Sequence, residues 1–157
     1  MDRFVSNFTN RLDAKGRVSI PASFRAVLAR DGYEGLCVLP SLDTRALDAG
    51  GNALLSEIDR LLEGFAPYSE ERDAISTSLL GTSEILKTDA EGRVVLTDSL
   101  KSYAGITDQV TFVGHGHKFQ IWEPETFRAH LDDAREKARE LRRRIGARAG
   151  GATETPQ

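Results

Sequence analysis

"LDAKGRVSIP" at residues 12–21 and "TDAEGRVVLT" at residues 88–97 are two versions of one segment. Both contain Asp-Ala-x-Gly-Arg, with Lys15 at the variable position of the first segment and Glu91 in the second. Asp at the first and Gly at the fourth position favour a type I turn with a bulge, which closes a β-hairpin. We call residues 13–17 the first corner and residues 89–93 the second corner. The repetition predicts a duplicated hairpin unit.

The residues around the first corner extend this unit. A strand-like stretch precedes the corner, and "RVSI" after it alternates polar and apolar residues, as a returning strand does. Pro21 fits the first turn of a helix, and apolar residues at helical spacing predict a short amphipathic helix over residues 21–30. "GLCVLP" then predicts another strand.

The second copy follows the same order. Thr97 is a candidate N-cap for its helix, and Gly105 is a plausible C-terminal stop. "QVTFVGHGHKFQIWEP" predicts a further hairpin, and we expect its last strand to correspond to "LCVLP" of the first copy. Each copy alone is too small to bury a stable core. We therefore expect two interlocked or strand-swapped copies that form one pseudo-two-fold unit of the mainly β, α+β class.

The remaining segments are helical in pattern. Asn52 and Ser69 are candidate N-caps of two helices between the copies, and a heptad-like apolar stripe marks a longer helix after the second copy. Small, polar, Gly-rich residues at the end predict disorder. The predicted divisions are a first repeat at 4–48, a helical linker at 49–81, a second repeat at 82–125, a C-terminal helix at 124–146 and a disordered tail at 147–157.

Charge is distributed unevenly along the chain, whose net charge is -3. Residues 1–25 carry five basic and two acidic side chains, whereas residues 42–75 carry three basic and eight acidic ones. A local basic patch at the first corner attracts phosphate despite the acidic total. The single cysteine, Cys37, excludes an intrachain disulfide, and no apolar run reaches the length of a membrane span. We expect a cytoplasmic protein without a cofactor.

At these residues the chain resembles the MraZ family of the AbrB-like, swapped-hairpin superfamily. The resemblance rests on two Asp-x-x-x-Arg motifs, on "LDAKGRVSIPASFR" and on "VGHGHKFQIW", in order from about residue 4 to residue 130. It implies a swapped-hairpin, double-ψ barrel of two AbrB-like repeats with flanking helices. It also implies a nucleoid-associated transcriptional regulator, usually a repressor, that binds short direct repeats before the division and cell-wall operon. The resemblance further implies a homo-oligomeric ring.

The candidate site residues belong mainly to the two corners. We expect Arg17 to contact a base or a phosphate of double-stranded DNA and Lys15 to contact a phosphate, because a two-stranded ribbon fits the major groove. Arg11, Arg25 and Arg93 are further candidates for DNA contacts. Arg11 and Arg25 could instead be ordinary solvated charges, and Arg93 could instead have a structural role in its turn. The residues expected to shape the two turns are Asp13, Gly16, Asp89 and Gly92.

Two other classes of function stay open on the sequence alone. The hairpins could pair subunits while the basic patch holds an acidic partner, which would make the chain a non-DNA assembly protein. His115 and His117 have a metal-ligand spacing, as a metal-dependent hydrolase would need, but no third ligand, nucleophile elbow or phosphate loop accompanies them. We therefore predict no enzyme, no metal site, no small-molecule substrate and no membrane partner.

Overall fold

The computed structural model describes residues 2–154 as eight strands and five helices. Their order is β1 (Asn7–Arg11), β2 (Arg17–Ser19), α1 (Ala22–Asp31), β3 (Leu36–Pro40), β4 (Leu47–Gly50), α2 (Asn52–Glu63), α3 (Glu70–Leu79), β5 (Glu84–Leu86), β6 (Arg93–Val95), α4 (Asp98–Ala104), β7 (Gln109–Gly114), β8 (Phe119–Trp122) and α5 (Pro124–Glu154). Both copies therefore run strand, corner, strand, helix, strand, strand. Helices α2 and α3 lie between the copies in sequence.

The strand pairing has the predicted pseudo-two-fold symmetry. Six antiparallel strands form one sheet in the order β1-β7-β8-β4-β3-β5, and β2 pairs with β6 in a separate two-stranded ribbon. Exchanging the copies, so that β1 replaces β5, β7 replaces β3 and β8 replaces β4, returns the same order. Strand β1 pairs with β7 of the second copy, and β5 pairs with β3 of the first. The structure is a mainly β, swapped-hairpin α+β fold.

Three details differ from the sequence prediction. Strands β1 and β2 flank the first corner but do not pair as a simple hairpin, because each takes its partner from the other copy. Alternation of polar and apolar residues fixes the buried face of a strand and leaves its partner open. The strand that corresponds to "LCVLP" is β7 rather than β8, since β8 matches β4. Strand β4, with the sequence "LDAG", was not predicted, because Asp and Gly are depleted in strands.

The main core lies between the six-stranded sheet, α1, α4 and the β2–β6 ribbon. Phe24 of α1, Leu100 of α4 and the ribbon residues Val18 and Val94 are each about 1% exposed. A second cluster covers the other side of β3, where Cys37 and Leu39 join apolar residues of α2 and α3. Burial on both sides explains why β3 is a continuous apolar run rather than an alternating one.

Helix ends confirm most of the predicted caps. The Thr97 hydroxyl accepts a hydrogen bond from the Leu100 amide, the Ser69 hydroxyl accepts one from the Arg72 amide, and Gly105 ends α4 with a left-handed φ of 68°. The prediction for Asn52 is wrong. Asn52 is the first residue of α2, and the carboxylate of Asp31 accepts the amides of Asn52 and Ala53. The cap thus comes from 21 residues earlier in the chain.

Helix α5 forms a compact unit of its own from residue 125 onward. It runs past residue 146 to Glu154, where the sequence had predicted a disordered tail from residue 147. Residues 155–157 of the predicted tail lie outside the described residues. Ion pairs such as Lys137–Asp133 at 2.9 Å lie on the surface of α5, and its Leu141 and Ile145 side chains are exposed. No helix in residues 2–154 is both long and apolar enough to span a bilayer.

Candidate nucleic-acid interface

The first corner is organised by one carboxylate. The Oδ1 of Asp13 accepts the backbone amides of Lys15 and Arg17 at 2.9 Å, and its Oδ2 accepts Nε of Arg17 at 2.6 Å. The Gly16 amide closes the turn on the Asp13 carbonyl at 3.0 Å, with a left-handed φ of 79° at Gly16. A residue with a Cβ is strained at that φ. One short turn thereby fixes both the backbone and the Arg17 side chain.

The second corner repeats these bonds atom for atom. The Oδ1 of Asp89 accepts the amides of Glu91 and Arg93 at 2.9 Å, and its Oδ2 accepts Nε of Arg93 at 2.9 Å. Gly92 has a φ of 77°. In addition, Nη2 of Arg93 lies 3.3 Å from the Glu91 carboxylate. Arg93 is therefore paired with two acids of its own corner.

The two arginines differ in the part of the guanidinium that remains available. Within the described part of the chain, Arg17 has Asp13 as its sole acidic partner, and Lys15 has no acidic partner. The Nη groups of Arg17 therefore remain available as hydrogen-bond donors. In Arg93, by contrast, Nη2 lies against the Glu91 carboxylate. Lys15 is exposed at the tip of its turn. The first corner presents unpaired positive charge, and the second corner neutralises its own.

Each aspartate is held in its charged form by the turn. The backbone N–H of Arg17 is the main cause that lowers the pKa of Asp13, and the Arg17 side chain and the Lys15 amide add to it. The pKa of Asp89 is lowered in the same way, first by the Arg93 amide. The carboxylate of Asp89 raises the pKa of Arg93. Both corners therefore stay intact and ionised at neutral pH.

The ribbon brings the corners onto one surface. Val18 lies opposite Val94 and both point into the core, so the neighbouring residues point outward. Arg17 lies opposite Val95, and Ser19 lies opposite Arg93. The ends are joined by matched bonds, from the Leu96 amide to the Gly16 carbonyl and from the Ile20 amide to the Gly92 carbonyl, both 3.0 Å long. Two arginines thus occupy the outer face of one two-stranded ribbon.

Strand exchange also moves the helix cations to the opposite corner. Arg25 of α1 lies over Gly92, since a Cβ built on Gly92 would stand 2.5 Å from the Cδ of Arg25. The Nη1 of Arg25 donates a hydrogen bond to the Ile20 carbonyl. Lys101 of α4, the residue equivalent to Arg25, lies beside Gly16. The structure therefore places Arg25 at the second corner, although its sequence position suggested the first.

Sequence comparisons identify the family. The family described as "MraZ protein, putative antitoxin-like" matches residues 79–146. The chain is 70% identical to a protein of Methylocella silvestris over 94% of this chain and 90% of the relative. It is 64% identical to one of Xanthobacter autotrophicus, covering 95% of each, and 43% identical to one of Rickettsia bellii, covering 90% and 95%. All three are named "Transcriptional regulator MraZ".

This chain belongs to the MraZ family. The resemblance drawn from the two corners is thereby confirmed, and it extends over nearly the whole chain. The family match at residues 79–146 covers the second corner and most of α5, whereas the match to the Methylocella silvestris relative, over 94% of this chain, also includes the first corner.

The other predicted residues of this MraZ-family chain lie around the corners. Arg11, at the end of β1, has its Nη1 3.9 Å from Asp108, and both side chains are more than two-thirds exposed. Such a pair is weak and open to exchange with another anion. The sequence analysis did not place Lys101 beside the first corner, because its position in the sequence assigns it to the second corner. The equivalence of Arg25 and Lys101, combined with strand exchange, is the signal that finds it.

The two histidines lie in the turn between β7 and β8. His117 pairs with Glu57 of α2, and the His115 amide donates to the Lys118 carbonyl at 2.9 Å. Across the described residues, no three His, Cys, Asp or Glu side chains are grouped so that they could hold a metal ion. His117 thus links the turn between β7 and β8 to α2.

Proposed function

We propose that this chain is a sequence-specific, DNA-binding transcriptional regulator whose first corner contacts the DNA. One observation carries the proposal. Among the described residues, Lys15 has no acidic partner and Arg17 has only Asp13, whereas the equivalent residues of the second corner, Glu91 and Arg93, pair with each other. The names of the MraZ relatives support a regulator of transcription.

The geometry suits recognition of a double helix. A two-stranded β-ribbon enters the major groove with its outward side chains toward the base edges. The bond from Arg17 Nε to Asp13 fixes the guanidinium before binding, which lowers the entropy lost when it grips a guanine or a phosphate. Asp13 is a positioning residue in this scheme. Lys15 at the turn tip supplies a phosphate contact.

The remaining candidates take secondary parts. Arg11 exchanges its exposed partner Asp108 for a phosphate beside the first corner. Arg93 contributes less than Arg17, since Asp89 and Glu91 already occupy much of its guanidinium. Arg25 is left out of the interface, because it lies over Gly92 and bonds the Ile20 carbonyl. Gly16 and Gly92 shape the turns, and no catalytic group is part of the scheme.

The MraZ membership extends the proposal to its target. We infer a repressor of the division and cell-wall operon that acts at the nucleoid in the cytoplasm. A homo-oligomeric ring presents several first corners to successive short direct repeats. Linked weak contacts of this kind raise the overall affinity through a high effective concentration. This arrangement reconciles a net charge of -3 per chain with binding to a polyanion.

A salt titration tests this function. The full chain is mixed with a labelled fragment from upstream of its own gene and with a scrambled fragment of equal composition, and anisotropy is followed from 50 to 200 mM salt. A regulator loses affinity steeply with salt and prefers the native fragment at every salt concentration. Equal binding to both fragments, or none to either, would contradict the proposal. Footprinting on the native fragment then locates the repeats.

A further inference from the structure

Lys101 lies closer to the first corner than its place in the sequence suggests. It belongs to α4 of the second copy, yet a Cβ placed on Gly16 would stand 3.9 Å from its Nζ. Pairing of β2 with β6 causes this approach, because α4 directly follows β6 and the Leu96 amide binds the Gly16 carbonyl. The ammonium group thus stands beside the turn that carries Lys15 and Arg17.

The existing partner of Lys101 is easily replaced. Its Nζ lies 3.5 Å from the Asp98 carboxylate, and the Asp98 side chain is fully exposed. Solvent around the exposed Asp98 carboxylate screens this pair, and an ammonium has three donors, so a donor remains for another anion. The Lys101 side chain is only 26% exposed, so most of its stem is packed, and its Nζ lies beside Gly16. A packed stem makes a phosphate contact less costly in side-chain entropy.

We propose that Lys101 contacts a DNA phosphate beside the first corner, so that one DNA-binding corner is assembled from both copies of the repeat. The inference rests on the proposed DNA-binding function. It adds a residue from α4 to a site otherwise built from residues 11–17. The contact carries charge and position without sequence information, because a phosphate is the same at every base pair.

The test compares the same substitution at equivalent positions. Lys101→Gln removes the cation beside the basic corner, and Arg25→Gln removes its counterpart over Gly92. Binding of native and scrambled fragments is measured by anisotropy between 50 and 200 mM salt. Lys101→Arg, which keeps the charge, serves as the rescue variant. Thermal unfolding of each variant separates lost contacts from lost fold.

Lys101→Gln is expected to weaken binding to both fragments by the same factor. The slope of log affinity against log salt should fall by about 0.9 for each subunit on the DNA. For one subunit, the ratio of wild-type to variant affinity then shrinks about 3.5-fold over this salt range. Lys101→Arg and Arg25→Gln should keep the wild-type slope.

An unchanged slope in a folded Lys101→Gln variant would overturn the inference and leave the proposed function standing. An equal loss of slope in Arg25→Gln would also overturn it, because the cation would then act through net charge alone. Wild-type protein that shows no salt-dependent binding would instead overturn the proposed function, and this inference with it.

Discussion

The first and second corners have the same backbone and differ in what they offer to a partner. Matched bonds of 2.9 Å run from Asp13 and from Asp89 to the amides of their turns. Lys15 projects from one turn without an acidic partner among the residues that the structure describes, whereas Glu91 of the other turn lies against Arg93. The two copies therefore share the backbone of the turn. The residue at the variable position, Lys15 or Glu91, sets the charge of each corner. The aspartate bonds hold each turn together, and the residue at the variable position decides which charge the turn presents to a partner.

The largest expected effect distinguishes the two arginines. Arg17→Ala should lower the affinity for repeat DNA by about 10- to 100-fold, toward that for scrambled DNA, because a good bidentate contact is worth about 1–3 kcal/mol. Arg93→Ala should lower the affinity by less than about fivefold, since its guanidinium is already shared by two carboxylates. Gel-shift titrations of both variants measure the difference. The reverse ranking would show that the second corner is the one that reads DNA.

A charge exchange should make the corners more alike. Glu91→Lys should raise the salt slope of DNA binding by about 0.9 per engaged subunit, and Lys15→Glu should lower it by about the same amount. Glu63→Lys on α2 is a matched control, because this exposed residue lies in a helix between the copies. If Glu63→Lys changed the slope as much as Glu91→Lys, net charge rather than the corner would govern binding.

The glycines should reveal a difference in stability. Gly16→Ala and Gly92→Ala each force a left-handed residue to carry a Cβ, at a cost of about 1–2 kcal/mol in the free energy of unfolding. Gly92→Ala should cost more, because its Cβ meets the Arg25 side chain, whereas a Cβ on Gly16 has 3.4 Å to the Leu96 carbonyl. Urea unfolding measures both. Arg25→Ala in the Gly92→Ala background should recover the excess, and a failure to do so would remove Arg25 as the cause.

The smallest effect should be equal at the two corners. The lowered pKa values of Asp13 and Asp89 mean that each charged carboxylate stabilises the fold above the unfolded value of about 3.9. That contribution is lost as the pH falls through the lower, folded pKa. Asp13→Asn and Asp89→Asn should lower the urea midpoint equally at pH 7, and their difference from wild type should narrow toward pH 3. Unequal losses at pH 7 would show that the corners are not equivalent scaffolds.

Local features of this fold were predictable, because short-range chemistry determines them. The corners, the α1 and α4 helices, and the Ser69 and Thr97 caps depend on residues within a few positions of one another. The pseudo-two-fold unit followed from the repeat and from the small size of each copy. Arg17 and Arg93, each four residues from its aspartate, were named as candidates for the same reason, and their contact with DNA stays a prediction.

Features that depend on strand partners were not predictable in the same way. The pairing of β1 with β7, the cap from Asp31 and the crossing of Arg25 and Lys101 to opposite corners all join distant segments. Strand β4 was not predicted because it contains a charged residue, Asp48. That residue is buried in the strand through contacts with Gln120 and Lys118 of a distant segment. Alternation of apolar residues specifies none of these partners.

The strand exchange has a consequence for protein synthesis. Thr9 of β1 meets Thr111 of β7 across 102 positions, and β2 has no ribbon partner until β6 has been made. The first two strands of a nascent chain must therefore stay unpaired while most of the chain leaves the ribosome. Pairing over such a long sequence separation slows folding and leaves strand edges exposed in the meantime. Any fragment that stops before residue 93 carries Lys15 and Arg17 without the ribbon that would present them. The ribbon that carries the basic corner forms only after its acidic counterpart has been translated.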